Sequence, residues 1–149
     1  GNSRVSAGAV RFVRAVVDTN VLVSGLINAV GSPGRVVDLL RSGVLEVVVD
    51  DRILAEYDDV LRRDRFRSYF SERDCEDILE FLRENSWRTT SRVVVLDLPD
   101  PGDAPFLEMA ISEGVPLITG NERHFPPEER GECEVLDPEA FLRRFFLVK

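Results

Sequence analysis

The chain has 149 residues, 44% hydrophobic and 31% charged, the size and balance of one folded domain that can bury a core without disulfides or a structural metal. No apolar run nears the roughly 18 residues needed to cross a bilayer, and the composition is not that of a disordered chain. The formal net charge of −8 argues against broad, sequence-independent adhesion to nucleic acid, which depends on neutralising phosphates, but is compatible with a carboxylate site whose charge bound cations offset.

Residues 1–11 lack the continuous apolar stretch of a signal peptide and are read as an N-terminal extension ahead of a single domain over 12–149. Phe12 to Val17 reads as a short apolar strand, followed at once by Asp18-Thr19-Asn20. Ser32-Pro33-Gly34 opens a helix, with Ser32 as cap and Pro33 in the first turn. Val36, Val37, Leu39 and Leu40 form its buried stripe, and Gly43 stops it. Leu45 to Val49 is a second apolar strand. Asp50 caps the next helix, where Ile53, Leu54, Tyr57, Val60 and Leu61 recur at helical spacing.

Arg62 to Arg67 is a basic stretch containing Phe66. Ser71 and Asp74 form a capping box for a helix carrying Cys75, Ile78, Leu79 and Leu82. Val93 to Leu96 is expected as a third strand and Pro99 to Gly102 as a turn. Asp103 then stands at an N-cap ahead of Phe106, Leu107, Ala110 and Ile111, with Gly114 ending that helix. Val115 to Thr119 is a fourth strand, followed by Gly120-Asn121-Glu122. Val135 and Leu136 suggest a short fifth strand, and Pro138 starts a final helix through Phe145.

Apolar strands that do not alternate, separated by amphipathic helices, imply a three-layer α/β/α sandwich around a mainly parallel twisted sheet. Ligands of such folds lie beyond the carboxyl ends of the strands, near a switch in strand order. Asp18, Asp103 and Asn121 all follow predicted strands or strand-turn units, which gathers them at one rim. Cys75 and Cys133 have no zinc or redox spacing and read as two reduced cysteines of a cytoplasmic protein. His124 is the only histidine, so a histidine-built metal site is excluded and any metal must be hard and oxygen-bound.

Each candidate acid also has an ordinary structural use. Asp18 could cap the following helix, Glu56 could sit on a solvated helix face, and Asp103 could be an N-cap alone. Asp97, Asp100 and Asp103 nevertheless place three carboxylates in seven residues, more than capping needs, and Asp100 also suits a turn before Pro101. Thr119-Gly120-Asn121-Glu122 could be only a tight turn, and Arg123 and His124 beyond it could reach a phosphate.

The order of these pieces resembles the PIN-domain family. VVDTNVLVSG at 16–25 is similar to the family's first strand and first metal-binding acid, here Asp18; ILAEYDDVL at 53–61 to the helix with the second, Glu56; and DPGDAPFLEMAISEGVPLITGNERHF at 100–125 to the segment with the third, Asp103. The resemblance covers about 12–141 and is nearest to toxin components of bacterial toxin–antitoxin pairs. It departs where many relatives carry a fourth Asp after the T-G dipeptide. Here that position is Asn121, whose amide oxygen can ligate a metal without adding charge.

The resemblance implies hydrolysis of phosphodiester bonds in single-stranded RNA, by one or two Mg²⁺ or Mn²⁺ ions held by Asp18, Glu56 and Asp103, with Asn121 as a further ligand. Asn20, Thr119 and Asp100 would support the acids, and Arg123, Arg62 and Arg65 would contact the strand, since Arg with an aromatic suits single-stranded nucleic acid. It further implies a small antitoxin protein as partner, and self-association is open. An RNA- or protein-binding module with little or no catalysis is the first alternative and a metal-dependent phosphatase the second. Against the phosphatase, the third position of its D-x-D pattern is Asn20, and the only lysine is Lys149 at the C-terminus. A dinucleotide-binding enzyme lacks its glycine fingerprint after the first strand.

Overall fold

The computed structural model describes residues 12–146; the extension read over 1–11 lies outside them. Five strands, β1 (Val13–Val17), β2 (Leu45–Val49), β3 (Trp87–Arg88), β4 (Leu117–Ile118) and β5 (Val135–Leu136), form one sheet in the order β3-β2-β1-β4-β5. Every pairing is parallel: Val13 stands opposite Leu45, Val16 opposite Leu117, Val48 opposite Trp87, and Leu117 opposite Val135. Residues 15–17 of β1 and 47–49 of β2 are buried without alternation, as strands covered on both faces must be. The chain winds outward from β1 in both directions, so the switch in strand order lies between β1 and β4.

Six helices cover the sheet: α1 (Thr19–Ile27), α2 (Ser32–Ser42), α3 (Asp51–Leu61), α4 (Glu72–Asn85), α5 (Ala104–Glu113) and α6 (Pro138–Phe145). One group joins α1 to α2 and α2 to α6, with α2 on β2 and α6 on β5. The other sets α5 on β1, β2 and β4, with α3 and α4 beside it on β2. Tyr57, Phe106, Phe125 and Phe141 are the largest fully buried side chains. The Tyr57 hydroxyl donates to the Val17 carbonyl oxygen at 2.5 Å, which ties α3 to the residue just before Asp18.

Most local signals act as expected. Asp50 accepts a hydrogen bond from the Ile53 amide at the start of α3. Ser71 and Asp74 close a reciprocal capping box on α4. Gly43 and Gly114 end α2 and α5 at positive φ, where a side chain would be strained. The cap of α2 is Gly31 rather than Ser32, which opens the helix itself.

Two elements differ from expectation. The third strand is not Val93–Leu96 but Trp87–Arg88, extended by the bond from the Thr89 amide to the Val49 carbonyl. The valine run is fastened by side chains instead: the Val93 amide donates to Ser91 Oγ and the Val95 amide to Glu108 Oε2, each at 2.9 Å. Val94 and Leu96 face solvent. The run therefore hangs on α5 rather than pairing in the sheet. Helix α1 was not foreseen, because TNVLVSGLI lacks a polar face and contains β-branched residues and a glycine, all weak helix formers.

The packing of α1 against α2 supplies what propensity does not. A Cβ on Gly34 would fall 2.2 Å from the Ala29 carbonyl oxygen, and one on Gly25 would fall 2.6 Å from the Pro33 carbonyl oxygen. Such contacts cannot form without moving backbone. Gly34→Ala is accordingly expected to destabilise the fold by roughly 1–3 kcal/mol through overpacking. Gly120→Ala, whose Cβ would stand 3.5 Å from Asn20 Oδ1, should stay within about 0.5 kcal/mol of the parent. Thermal unfolding of the two variants checks the pair, and equal midpoints would contradict the close contact of Gly34 with the loop at Ala29.

Candidate active site

Asp18 is the residue at which β1 becomes α1, beside the switch in strand order. It occupies the N-cap position of α1, yet its side chain makes no capping hydrogen bond. Its Oδ2 accepts from the Thr119 hydroxyl at 2.7 Å instead. Thr119 Oγ1 also accepts from the Asn121 amide at 3.0 Å, and a hydroxyl that accepts there has its single proton free for Asp18. The backbone repeats the link: the Asp18 amide donates to the Ile118 carbonyl at 2.9 Å, and the Gly120 amide donates to Asn20 Oδ1 at 3.2 Å. The ends of β1 and β4 are thereby locked together around a carboxylate only 6% exposed.

The other two acids arrive on separate elements. Glu56 projects from α3, and Asp103 ends a 3₁₀ turn, Pro101–Asp103, that runs directly into α5. Asp103 stands at the cap position of α5 with helical backbone angles and no capping bond. The surplus of acid over capping need is thus real at both Asp18 and Asp103. Asp100 accepts from the Gly102 amide at 2.9 Å and shapes the turn that delivers Asp103.

Asp18, Glu56, Asp100 and Asp103 line one cleft of about 330 Å³ together with Asn20, Ser24, Arg63, Arg65, Phe66 and His124. A wider cavity of about 500 Å³ lies beside Arg52 and Arg88. Its buried carboxylates, Asp50 and Glu108, are already bound to Arg52 at 2.7 and 2.8 Å, whereas the acids of the 330 Å³ cleft make no ion pair with an arginine among the described residues.

Burial lifts Asp18 above the usual carboxylate range, against the Thr119 hydroxyl bond and the pull of the nearby Thr19 and Asn20 amides and of His124. Burial also lifts Glu56, with Asp18, Asp59 and Asp100 adding repulsion and Arg63 opposing. Asp103 is pushed up to about 6, first by burial, then by Asp18 and Asp100, against the attraction of His124. Like charges held together out of water disfavour ionisation. The donor set is all hard oxygen, and the Thr19 hydroxyl, buried on the lining of the same cleft, has no hydrogen-bond partner. Both features fit a hard divalent cation. Among the described residues no three acid, histidine or cysteine side chains stand close enough to enclose an ion by themselves.

The remaining candidates divide. Thr119 and Asn20 brace the β1–β4 junction as described. Asn121 lies outside the cleft lining: its Nδ2 approaches His124 Nε2 at 3.0 Å, and His124 Nδ1 approaches Asp103 Oδ2 at 3.0 Å. With Asn121 as donor, His124 Nε2 accepts and Nδ1–H donates to Asp103. Asn121 reaches the acids through His124, a link invisible in a sequence where His124 reads as a group that could reach a phosphate. Arg65 lines the cleft, whereas Arg62 is bound away from it by Asp58 and Glu76. Arg123 is exposed on the 3₁₀ turn Glu122–His124. Ser24 and Val23 on the lining were not anticipated, because α1 itself was not.

The repulsion has a pH signature in metal-free protein. A carboxyl whose folded pKa is about 6, against an ordinary 3.8, adds stability that is present below the lower value and lost as pH rises through the higher one. Asp103→Asn removes this loss. Its melting temperature relative to the parent should climb between about pH 4 and 7 in the presence of chelator; a relative fall over that window would refute the burial and repulsion assigned to Asp103.

The family model for the PIN domain matches residues 14–123, a span that contains Asp18, Glu56 and Asp103. No curated protein matches the chain. PIN domains are generally nucleases and generally use divalent metals. With a parallel α/β/α fold, acids at the β1–β4 switch and a family match over most of its length, the chain belongs to the PIN-domain family.

Proposed function

We propose that the protein is a divalent-metal-dependent endoribonuclease that hydrolyses single-stranded RNA. The observation that carries this reading is the convergence of Asp18, Glu56, Asp100 and Asp103 on one cleft, with Asp18 raised by burial and Glu56 and Asp103 raised by burial and by neighbouring carboxylates. Such a group is matched to cations rather than to neutral ligands.

In this reading Asp18 and Asp103 would hold Mg²⁺ or Mn²⁺. The ion, when bound, polarises the phosphate and acidifies water. Thr119 fixes Asp18 through its hydroxyl proton, and His124 fixes Asp103 through Nδ1–H. Glu56, on the solvent side of the cleft, orients the attacking water and takes up its proton. Asn20 keeps the β1–β4 junction closed, and Asp100 keeps the turn that presents Asp103. With Asn121 off the cleft lining, one ion is the minimal set and a second would depend on Glu56.

Likeness to toxin components supports the wider reading: a cytoplasmic toxin held in check by a small antitoxin protein, with self-association open to measurement. No helix among the described residues is long and apolar enough to cross a membrane. The incomplete enclosure of an ion by the acids favours one other reading, a PIN module that binds RNA or protein without turnover.

Cleavage of an unstructured RNA with Mn²⁺ or Mg²⁺ decides between them. Activity should vanish with chelator and in Asp18→Asn and Asp103→Asn, while circular dichroism shows both folded. Full activity in both variants would remove the site, and metal binding without turnover would leave the binding module. Thr119→Val, which keeps the acids but frees Asp18, should lower metal affinity or activity by about 10–100-fold. An unchanged variant would show that the hydroxyl does not orient Asp18.

A further inference from the structure

Four arginines occupy 62–67, and three of them are committed. Arg62 is bound by Asp58 and Glu76, and Arg63 reaches Asp59 at 2.9 Å. Arg67 donates to the Leu61 carbonyl at 2.5 Å and lies 5.2 Å from the Phe70 ring centre. Arg65 makes no hydrogen bond or ion pair among the described residues. It is exposed, and its guanidinium lies 4.9 Å from the centre of the Phe66 ring. Phe66 in turn stacks on Phe70 with ring centres 5.8 Å apart and planes 15° from parallel. Phe70 is 5% exposed, so the pile is rooted in the core. Arg65 and Phe66 are on the lining of the acid cleft.

We propose that Arg65 and Phe66 form a stacking subsite at the mouth of the acid cleft that takes one unpaired nucleotide of a single-stranded nucleic acid. This rests on the nuclease reading above. The cleft repels a polyanion wherever cations do not cover its carboxylates, and the chain as a whole carries −8, so attraction has to come from a local uncommitted cation. Arg65 is that cation, and its guanidinium lies against the Phe66 ring of a stacked phenylalanine pair. An arginine plane accepts a base by stacking and a phosphate by hydrogen bonds. A base inside a duplex has both faces covered and cannot extend the pile, whereas a splayed base can. An acidic peptide would meet the same carboxylates with no flat group to stack. The subsite therefore selects single strands and places the phosphate next to the bound base toward Asp18 and Asp103.

The test uses the full chain carrying Glu56→Gln, so that a strand survives while Asp18 and Asp103 remain, with Mn²⁺ present. The probe is a short single strand bearing 2-aminopurine, whose fluorescence reports stacking; RNA, DNA of the same sequence and the corresponding duplex form the arms. The single strand should bind with quenching, and the duplex more weakly. Adding Arg65→Ala should weaken single-strand binding on the order of 5- to 150-fold, the equivalent of one lost stacking contact, and abolish the quench. Arg65→Lys, which keeps charge without the plane, should recover part of the affinity and none of the quench. Arg63→Ala should leave the quench intact. Unchanged affinity and quench in Arg65→Ala would overturn the subsite alone, and equal binding of duplex would overturn its selectivity. No binding of any strand by the Glu56→Gln chain would overturn the subsite, whereas the nuclease reading falls only with the cleavage assay of the parent protein. The RNA and DNA arms show which sugar the cleft prefers.

Discussion

A carboxylate withheld from water is the constraint around which this molecule is arranged. Asp18 ends a strand buried on both faces, so its side chain enters a region where a bare charge is expensive. The Thr119 hydroxyl answers one oxygen, and the neighbouring acids raise the demand instead of relieving it. The cleft holds four carboxylates, and the nearest arginines are tied elsewhere or stand at its mouth. Its electrostatics are complete only with something positive added, which is a functional statement made by a structural imbalance.

The fold produces that imbalance by topology. Winding outward from β1 leaves a crevice between β1 and β4, and three elements empty into it: the β1–α1 junction with Asp18, the flank of α3 with Glu56, and the 3₁₀ turn before α5 with Asp103. Rigidity comes from bonds that cross between these elements. Tyr57 anchors α3 to the Val17 carbonyl, and Glu108 anchors both the 89–95 segment and Arg52 to α5. Acids placed on separate elements can be held near one another only if the elements cannot drift, and these buried bonds supply that stiffness.

The wall facing the acids is built on another logic. Arg67 and Phe70 fasten the 3₁₀ turn Asp64–Phe66 to the core, while Arg65 and Phe66 turn toward the cleft. An acidic protein that handles nucleic acid has little to gain from a broad basic face. It gains more from a cation placed where a strand must pass, combined with flat surfaces that respond to bases rather than to charge alone.

Much of this was legible in the sequence because it is local. The caps at Asp50 and Ser71, the stops at Gly43 and Gly114, and the non-alternating valines of β1 and β2 each act over a few residues, and together they require a parallel sheet between helical layers. The excess of acid over capping need at Asp103, joined with the order of Asp18 and Glu56 before it, pointed to the rim where the cleft lies. Tertiary structure decided what depends on distant partners. TNVLVSGLI is helical because Gly25 lets α1 approach α2 and Gly34 lets the loop at Ala29 close onto α2, and VVVL at 93–96 is kept out of the sheet because Ser91 and Glu108 take its amides. His124 meets Asp103 across 21 residues, and Arg65 rather than Arg62 faces the cleft because Asp58 and Glu76 claim the latter. Sequence period and capping report how a segment satisfies its own backbone; which side chain stays free to do chemistry is settled only when every competing partner is in place.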